Sequence, residues 1–413
     1  MAAGRNGLIA GLDVGTTKVC CFIARNEGGQ MRVVGIGHQV SKGLRAGSVV
    51  DMEAAEGSIR AAVDAAERMC GETIRDVFVS LTAGQPASHT VGVEVSIAGH
   101  EVGEHDVRRV LDQGARHEQA GDRQIVHSIP VGYTIDGSKG IRDPRGMYGD
   151  RLGVNMHIVT AATSPLRNLA TCVARGHLGI SGMVVSPFAA GLACLVEDEM
   201  DLGVTLIDMG GGTTTIAIFY DGALVYTDGV PIGGMQVTND IARGLSTPTT
   251  HAERLKTLYG GALAGHSDES EMIDVPQVGE TDSQLPNHLP RSILIGIVKP
   301  RVEETLELVR DRLARSGFDK VAGRRVVLTG GASQLQGVRE VAARVLDKQV
   351  RLGRPIRVGG LAEATGGPAF SACAGLLSYA RADRAEATES IPQPEEISAG
   401  RFGRIGRWLK ANF

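Results

Sequence analysis

The chain of 413 residues has little net charge: 43 Lys and Arg against 47 Asp and Glu leave −4. Binding of nucleic acid over most of the surface is therefore excluded, because it needs a clear basic excess. Paired cysteines are also missing. Cys20, Cys21, Cys70, Cys172, Cys194 and Cys373 are scattered, with no C-x-x-C pair and no His at metal-ligand spacing. They read as small core residues in a reducing compartment. No long apolar run is free of breakers. The longest uncharged stretch, 178–196, is interrupted by Gly179, Ser181, Gly182, Ser186, Pro187 and Gly191. It reads as a short buried strand at Met183–Val185 followed by a helix after Pro187, not as a membrane span. The seven residues before the first apolar segment hold one Arg, too little for a signal peptide, so a cytosolic chain is expected unless something else brings it to a membrane. Proline is not enriched (15), whereas glycine, at 56, is close to twice its usual share. Glycine without proline indicates backbone turned tightly or brought against a ligand.

The length suggests two or three domains. Short apolar strands alternate with longer helix-like stretches, the pattern of an α/β fold. One helix is expected at about Met52 to Met69, apolar at Ala55, Ile59, Ala62, Val63 and Ala66. Another, near Ile293 to Leu313, puts Ile297, Val302, Leu306 and Val309 on one face. Residues 265–290 are polar and acidic and are expected to be a loop with one strand. From 382 to 400 the apolar periodicity stops and acids crowd in, as in a solvated linker. The scattered histidines His100, His105 and His127 are taken as surface or structural residues.

Chemistry enters with Asp13-Val14-Gly15-Thr16-Thr17-Lys18, set between the apolar runs Leu8–Leu12 and Val19–Ala24. This is strand, Gly turn, strand, and it lacks the helix and the spacing of a Walker A loop. Backbone N–H groups of such a turn point outward together, Thr hydroxyls add donors, and both suit a phosphate. An Asp at the strand end suits Mg²⁺ held through water, because Mg²⁺ keeps much of its hydration shell. The same grammar returns 195 residues later in Asp208-Met209-Gly210-Gly211-Gly212-Thr213-Thr214-Thr215, after Leu206-Ile207 and before the strand Ile216–Tyr220. Two copies of a rare element indicate a duplicated fold with one phosphate-binding hairpin from each half. A third element runs from Val326 to Thr329 into Gly330-Gly331-Ala332-Ser333 and an expected helix at about Leu335 to Leu346. It is the expected third wall of a nucleotide site.

In this arrangement the sequence resembles the actin/Hsp70/sugar-kinase ATPase superfamily. The segments in order are phosphate 1 (Asp13 to Lys18), connect 1 (Ser186 to Ala193), phosphate 2 (Asp208 to Thr214), adenosine (Thr329 to Ser333) and connect 2 (Gly366 to Leu377). More closely it resembles the FtsA family, actin homologues of bacterial cell division. The stretches that carry this are Gly140 to Met147, Arg151-Leu152 with His157 to Thr160, Val237 to Ile241, and Ala252 to Lys256 with Tyr259-Gly260.

The resemblance implies a duplicated actin-like α/β fold with inserted subdomains. Its first half would comprise residues 7–83, 164–202 and a return helix at 366–381. Its second would comprise 203–241 and 316–365. Insertions would fall at 84–163 and 242–315, followed by a linker at 382–400 and a membrane-targeting helix at 401–413. ATP with Mg²⁺ would lie between the hairpins, with Asp13 and Asp208 on the metal side. Glu253 and Lys256 match positions flanking ribose and base, and Gly233-Gly234 a turn near the nucleotide. Two positions depart from pattern: Thr215 where a common version of phosphate 2 has Asp, and Ser186 where several superfamily ATPases have an acid. Since an acid or amide there often positions the attacking water, at most slow hydrolysis is expected.

The last thirteen residues hold four basic residues and no acid. At about 100° per residue of helix, Phe402, Ile405, Trp408, Leu409 and Phe413 share one arc, with Arg404, Arg407 and Lys410 opposite and Arg401 at its edge. This is the make-up of a helix lying in an anionic membrane surface. The implied function is an ATP-binding polymer subunit on the cytoplasmic side of the inner membrane at the division site. It would anchor the tubulin-like FtsZ ring, with itself and other division proteins as partners and no nucleic acid. The inserted segment 84–163 is expected in the polymer contact. An actin-fold phosphotransferase or phosphatase, or an actin-like scaffold of pilus or secretion machinery, are the alternatives.

Overall fold

The computed structural model describes residues 7–27, 30–116, 121–279 and 287–382. The expected linker from 383 onward and the whole segment 401–413, with every residue assigned to membrane contact, lie outside them. The first half opens with β1 (Leu8–Val14), β2 (Lys18–Glu27) and β3 (Gln30–Val40). A short ladder of β4 (Leu44–Arg45) with β5 (Ser48–Val49), helix α1 (Met52–Cys70) and β6 (Asp76–Leu81) follow. The insertion contains β7 (Ala87–Ser96), α2 (Glu104–Arg116), β8 (Arg123–Ile135), β9 (Ser138–Ile141) and β10 (Arg151–Ala162). Helix α3 (Thr163–Arg175), β11 (Gly179–Val185), α4 (Ser186–Cys194) and α5 (Glu197–Leu202) lead to the second half. That half contains β12 (Val204–Met209), β13 (Thr214–Tyr220), β14 (Ala223–Val230), α6 (Gly234–Gly244), α7 (Thr249–Tyr259), β15 (Met272–Val275) and β16 (Asn287–Pro290). It ends with α8 (Arg291–Ser316), β17 (Arg325–Thr329), α9 (Val338–Leu346) and β18 (Gln349–Leu352), and α10 (Ser371–Arg381) returns to the first half.

The two main sheets have one topology. The first runs β3-β2-β1-β6-β11 and the second β14-β13-β12-β17-β18. In each, the first three strands form an antiparallel meander and the last two join it in parallel. Even the register repeats: Asp13 pairs Cys20 across the first hairpin, and Asp208 pairs Thr215 across the second. The duplication inferred from the two motifs thus extends to whole sheets.

Helix α10 packs on β1, β2 and β6, while α4 packs on β12 and β13, and the two helices lie against each other between the sheets. Glycine keeps these layers thin. A Cβ on Gly11 of β1 would stand 3.0 Å from Leu376 Cβ, one on Gly191 of α4 2.4 Å from the Phe219 ring, and one on Gly375 of α10 1.7 Å from the Ala189 carbonyl oxygen. The first core therefore runs from Leu12, Phe22 and Ile59 through Phe188 and Leu376 to Leu206 and Phe219 of the second sheet. A separate core under α8 and α9 holds Ile207, Ile216, Val298 and Leu306. The inserted domain, a β7-β10-β8-β9 sheet with α2 on one face, has its own core of Val93, Val110, Leu152, Met156 and Ile158. It is latched to the second half through Ser88, whose hydroxyl accepts from Thr227 N–H (2.9 Å) and donates to Thr227 C=O (3.0 Å). Arg142 pairs Asp221 beside that latch.

Two local expectations need correction. Residues 265–290 hold two strands, not one: β15 buries Ile273 and Val275 in alternation and pairs antiparallel with β16. The helix expected from Leu335 starts at Val338, after a 3₁₀ turn at Gly331–Gln334. Leu335 is extended (φ −62°, ψ 132°), and Gly337, at φ +80° and with Leu263 2.9 Å from any added Cβ, caps the start of α9. His127 is structural: it is buried, its Nε2 accepts from Val185 N–H (3.1 Å), and its ring meets Phe188 edge-on.

Gly375→Ala should destabilise the chain by about 1–3 kcal/mol or more, because backbone must move to admit the methyl group. Gly57→Ala, in the interior of α1 with nothing within 4 Å of the new Cβ, should instead be neutral or stabilising by about 0.4–1 kcal/mol. Denaturant midpoints of the two variants compare them directly, and equal stability would show that the α4–α10 contact yields easily.

Candidate functional site

Both hairpins close in the same way. Gly15 N–H donates to Lys18 C=O and Gly210 N–H to Thr213 C=O, each at 2.9 Å. Because the α4–α10 layer holds the sheets close, the turns meet face to face. A Cβ on Gly211 would lie 2.5 Å from Thr17 and one on Gly212 2.5 Å from Thr16. Glycine at these two positions is what lets the Thr side chains sit against the opposite turn. The N-terminus of α6 locks the second hairpin: Gly234 N–H donates to Gly210 C=O (2.9 Å) and Met235 N–H to Gly211 C=O (2.7 Å). The first is tied to its own half, with Thr16 Oγ1 accepting from Gly47 N–H (2.9 Å) and Thr17 C=O from Ser41 N–H (3.0 Å).

Two connected cavities open at this meeting. The narrow one, about 160 Å³, is lined by Asp13, Gly15 to Lys18, Thr82, Ser186, Asp208, Gly210 to Thr213, Gly330, Gly331, Pro368, Ala369 and Ala372. The wide one, about 570 Å³, shares Thr17, Gly210, Gly211 and Gly331 with it. It continues past Gly233, Gly234, Met235, Glu253, Lys256 and Thr257 to Val302, Thr305, Ala332 and Gln334 to Gln336. Lys256 Nζ reaches Glu253 Oε2 (2.7 Å), Thr238 Oγ1 (2.9 Å) and Gly234 C=O (3.2 Å), which fixes the charged wall of the wide cavity.

Asp13 and Asp208 face the narrow cavity, and enclosure by protein raises the carboxyl pKa of both. The Lys18 charge and a hydrogen bond from Ser80 (2.6 Å) oppose the rise at Asp13. Asp208 is pushed up to about 6, by burial first and then by the negative charge of Asp13. Ser186, which donates to Asp208 Oδ2 at 2.9 Å, and Lys18 act against that rise. A pair of hard carboxylate donors held under this strain fits a divalent cation such as Mg²⁺, bound by one or two carboxylates with water and phosphate oxygens completing the shell. Ser186 thus has a defined contact: it orients Asp208 and is not an acid over the cavity.

Of the expected nucleotide residues, all line one or both cavities except Thr214 and Ser333. Thr214 donates to Ile232 C=O (2.8 Å) and Ser333 to Gly330 C=O (2.7 Å); both are buried and brace the turns from behind. Thr215 is buried in β13 with no partner for its hydroxyl. The sequence reading missed Thr82, although the duplication contained a signal for it. Leu12 pairs Val79 as Asp208 pairs Thr329 one residue further on, so Thr82 is the counterpart of Gly331. It also missed Gln334 to Gln336, which an α-helix starting at Leu335 would have placed differently.

In metal-free protein, a carboxyl with a folded pKa near 6 against an ordinary 3.8 binds its proton more tightly when folded. It therefore lowers stability as pH rises from about 4 to 6, and the loss is complete above that. Asp208→Asn should raise the unfolding free energy in EDTA at pH 7.5 by on the order of 2–3 kcal/mol. The advantage should shrink toward pH 4.5, and a pH-independent difference in denaturant midpoints would contradict this account.

Comparison with known proteins gives the following. The family described as "Cell division protein FtsA" matches residues 205–375, and "SHS2 domain inserted in FTSA" matches residues 83–160, the latched insertion. Cell division protein FtsA of Agrobacterium fabrum (strain C58) is 46% identical, covering 100% of this chain and 96% of that protein. FtsA of Pseudomonas aeruginosa is 38% identical with 100% of both covered, and that of Escherichia coli (strain K12) 31% with 98% of both. Among solved structures, a "PilM-PilN type IV pilus biogenesis complex" chain superposes with TM-score 0.64 at 16% identity, over 90% of this chain and 98% of that one. MreB5 of Spiroplasma citri bound to ADP superposes with TM-score 0.53 at 13% identity, over 91% and 96%. These two likenesses show the actin-like fold alone.

Proposed function

This chain belongs to the FtsA family of cell division proteins, and on that premise we propose that it is an ATP-binding, membrane-tethered polymer subunit that links the FtsZ ring to the cytoplasmic membrane. The observation that carries the nucleotide half is the pair of matched hairpins with Asp13 and Asp208 at the floor of the narrow cavity and a 570 Å³ cavity adjoining it. The hydroxyls of Thr16, Thr17 and Thr213, the turn N–H groups and Lys18 supply donors for phosphate oxygens. The wide cavity takes the nucleoside between Gly331-Ala332 and the Glu253–Lys256 wall. Asp13 and Asp208 hold Mg²⁺ through water, and the cation neutralises phosphate charge when bound. The structure of MreB5 with ADP supports this reading, since a protein of the same fold binds a nucleotide. Turnover is slow, because Ser186 is committed to Asp208 and no other acid lines the narrow cavity among the described residues.

The tether rests on the sequence of residues 401–413. Among the described residues no helix is long and apolar enough to cross a membrane. One tail binds weakly, and a filament with many tails binds avidly. The inserted domain, with its own core and a polar latch to the body, takes part in the contact along the filament.

Two outcomes are expected. Asp208→Ala should weaken ATP binding roughly tenfold or more with Mg²⁺ present and much less in EDTA; calorimetric titration showing equal loss in both conditions would make the carboxylate structural. Trp408, the only Trp, should shift its fluorescence to the blue on anionic vesicles. Trp408→Glu should abolish vesicle pelleting while ATP binding persists. Full-strength pelleting by that variant would refute the tether.

A further inference from the structure

Lys18 is the first residue of β2, and its side chain enters the narrow cavity from the hairpin turn. Its ammonium stands 3.4 Å from the centroid of the Phe370 ring and donates to the Ala369 carbonyl. Phe370 cannot follow a wandering lysine. Its ring stacks on the fully buried Phe22 at 6.0 Å and 15°, takes the edge of His38 at 5.9 Å and 81°, and is itself 9% exposed. The 3₁₀ turn that carries it, Pro368–Phe370, is joined to the third wall of the site by Gly330 N–H donating to Pro368 C=O (3.2 Å). Nothing in the strand–turn–strand motif of the first hairpin calls for an aromatic residue 352 positions away.

We propose that Phe370 is the positioning residue for the phosphate-binding lysine, its ring face and the neighbouring Ala369 carbonyl holding the Lys18 ammonium at the wall of the narrow cavity. The proposal rests on the nucleotide reading above and deepens it. A lysine is a compact charge on a flexible four-carbon stem. Left free, it must be immobilised each time a polyphosphate binds, or it turns to Asp13 or Asp208. The negative face of the ring attracts the ammonium, and the carbonyl takes one of its three N–H donors. The side turned to the cavity remains available to phosphate oxygens. Leucine at 370 fills similar space but has no ring quadrupole, so the role belongs to the aromatic face and not to packing alone.

The full-length chain tests this with ATP, ADP and adenosine as ligands in Mg²⁺ buffer, adenosine being measured by competition. Phe370→Leu should weaken ATP and ADP roughly two- to twelvefold, the scale of ordering one long side chain on binding, and leave adenosine within about twofold. Phe370→Tyr keeps the face and should match wild type for all three. Equal weakening of adenosine and ATP would assign Phe370 a merely structural part, and unchanged or tighter ATP binding by Phe370→Leu would overturn the proposal. Wild-type chain that binds no ATP would instead overturn the nucleotide reading and the positioning role together. An independent readout guards against a Leu variant that does not fold. In ¹³C-lysine-labelled wild type, the ε-methylene signal missing from Lys18→Met should lie upfield through the ring current of Phe370, and an ordinary shift there would refute the contact.

Discussion

The contact between α4 and α10, backbone against backbone at Gly375 and Ala189, sets the distance between the two halves. Every feature of the site inherits that distance. Each helix lies on the sheet of one half, and each approaches its sheet at a glycine, Gly11 of β1 beneath α10 and Gly191 of α4 itself over Phe219 of β13. A side chain at any of these three places would thicken the stack by the width of at least a methyl group, and close-packed interiors do not absorb such a change without moving backbone. The hairpins at the sheet ends would then separate, and Thr16 and Thr17 would lose Gly212 and Gly211 as neighbours.

Duplication makes the site nearly symmetric, and its chemistry depends on where the symmetry fails. Both halves present an Asp at the end of the first strand. Asp13 is steadied within its own half by Ser80 on the neighbouring strand. Asp208 is steadied across the cleft by Ser186 at the start of α4, which belongs to the first half. Each carboxylate thus has a serine partner, one from its own half and one from the other. At the same place Gly330, at φ +85°, leaves no room for a Cβ, which would stand 2.3 Å from Asp208 Oδ1. Burial first, and then the negative charge of Asp13, raise the carboxyl pKa of Asp208. The serine that orients Asp208 spends its hydroxyl hydrogen on that carboxylate.

The inserted domain is built by different rules. Its sheet has its own core and its own helix, yet Ile129, Val159 and Ala161 belong to the first core and Val131 packs against the second, while Ser88 of edge strand β7 and Arg142 after β9 add polar contacts to Thr227 and Asp221. The cleft between the two hairpins is framed by the largest of the three cores among the described residues.

The sequence by itself determined the α/β class, the two hairpins with their Asp, Gly and Thr residues, the helices α1 and α8, and the duplication into two halves. All of these are local patterns or repeats of a local pattern, and periodicity and turn chemistry write them directly into neighbouring residues. The amphipathic character of 401–413 is legible for the same reason. Only the tertiary structure decided what depends on residues far apart. It divided the expected strand of 265–290 into β15 and β16, because a hairpin exists only through its pairing. It moved the start of α9 beyond Gly337, where Leu263 from a distant loop forbids a side chain. It turned Thr214 and Ser333 behind the cavity walls and brought Thr82, Gln334 and Phe370 to the site. It also gave Ser186 a partner in Asp208, 22 residues on and in the other half. Each of these rests on contacts between residues far apart in the chain, set by which side chain or glycine meets which backbone and not by any pattern along the sequence.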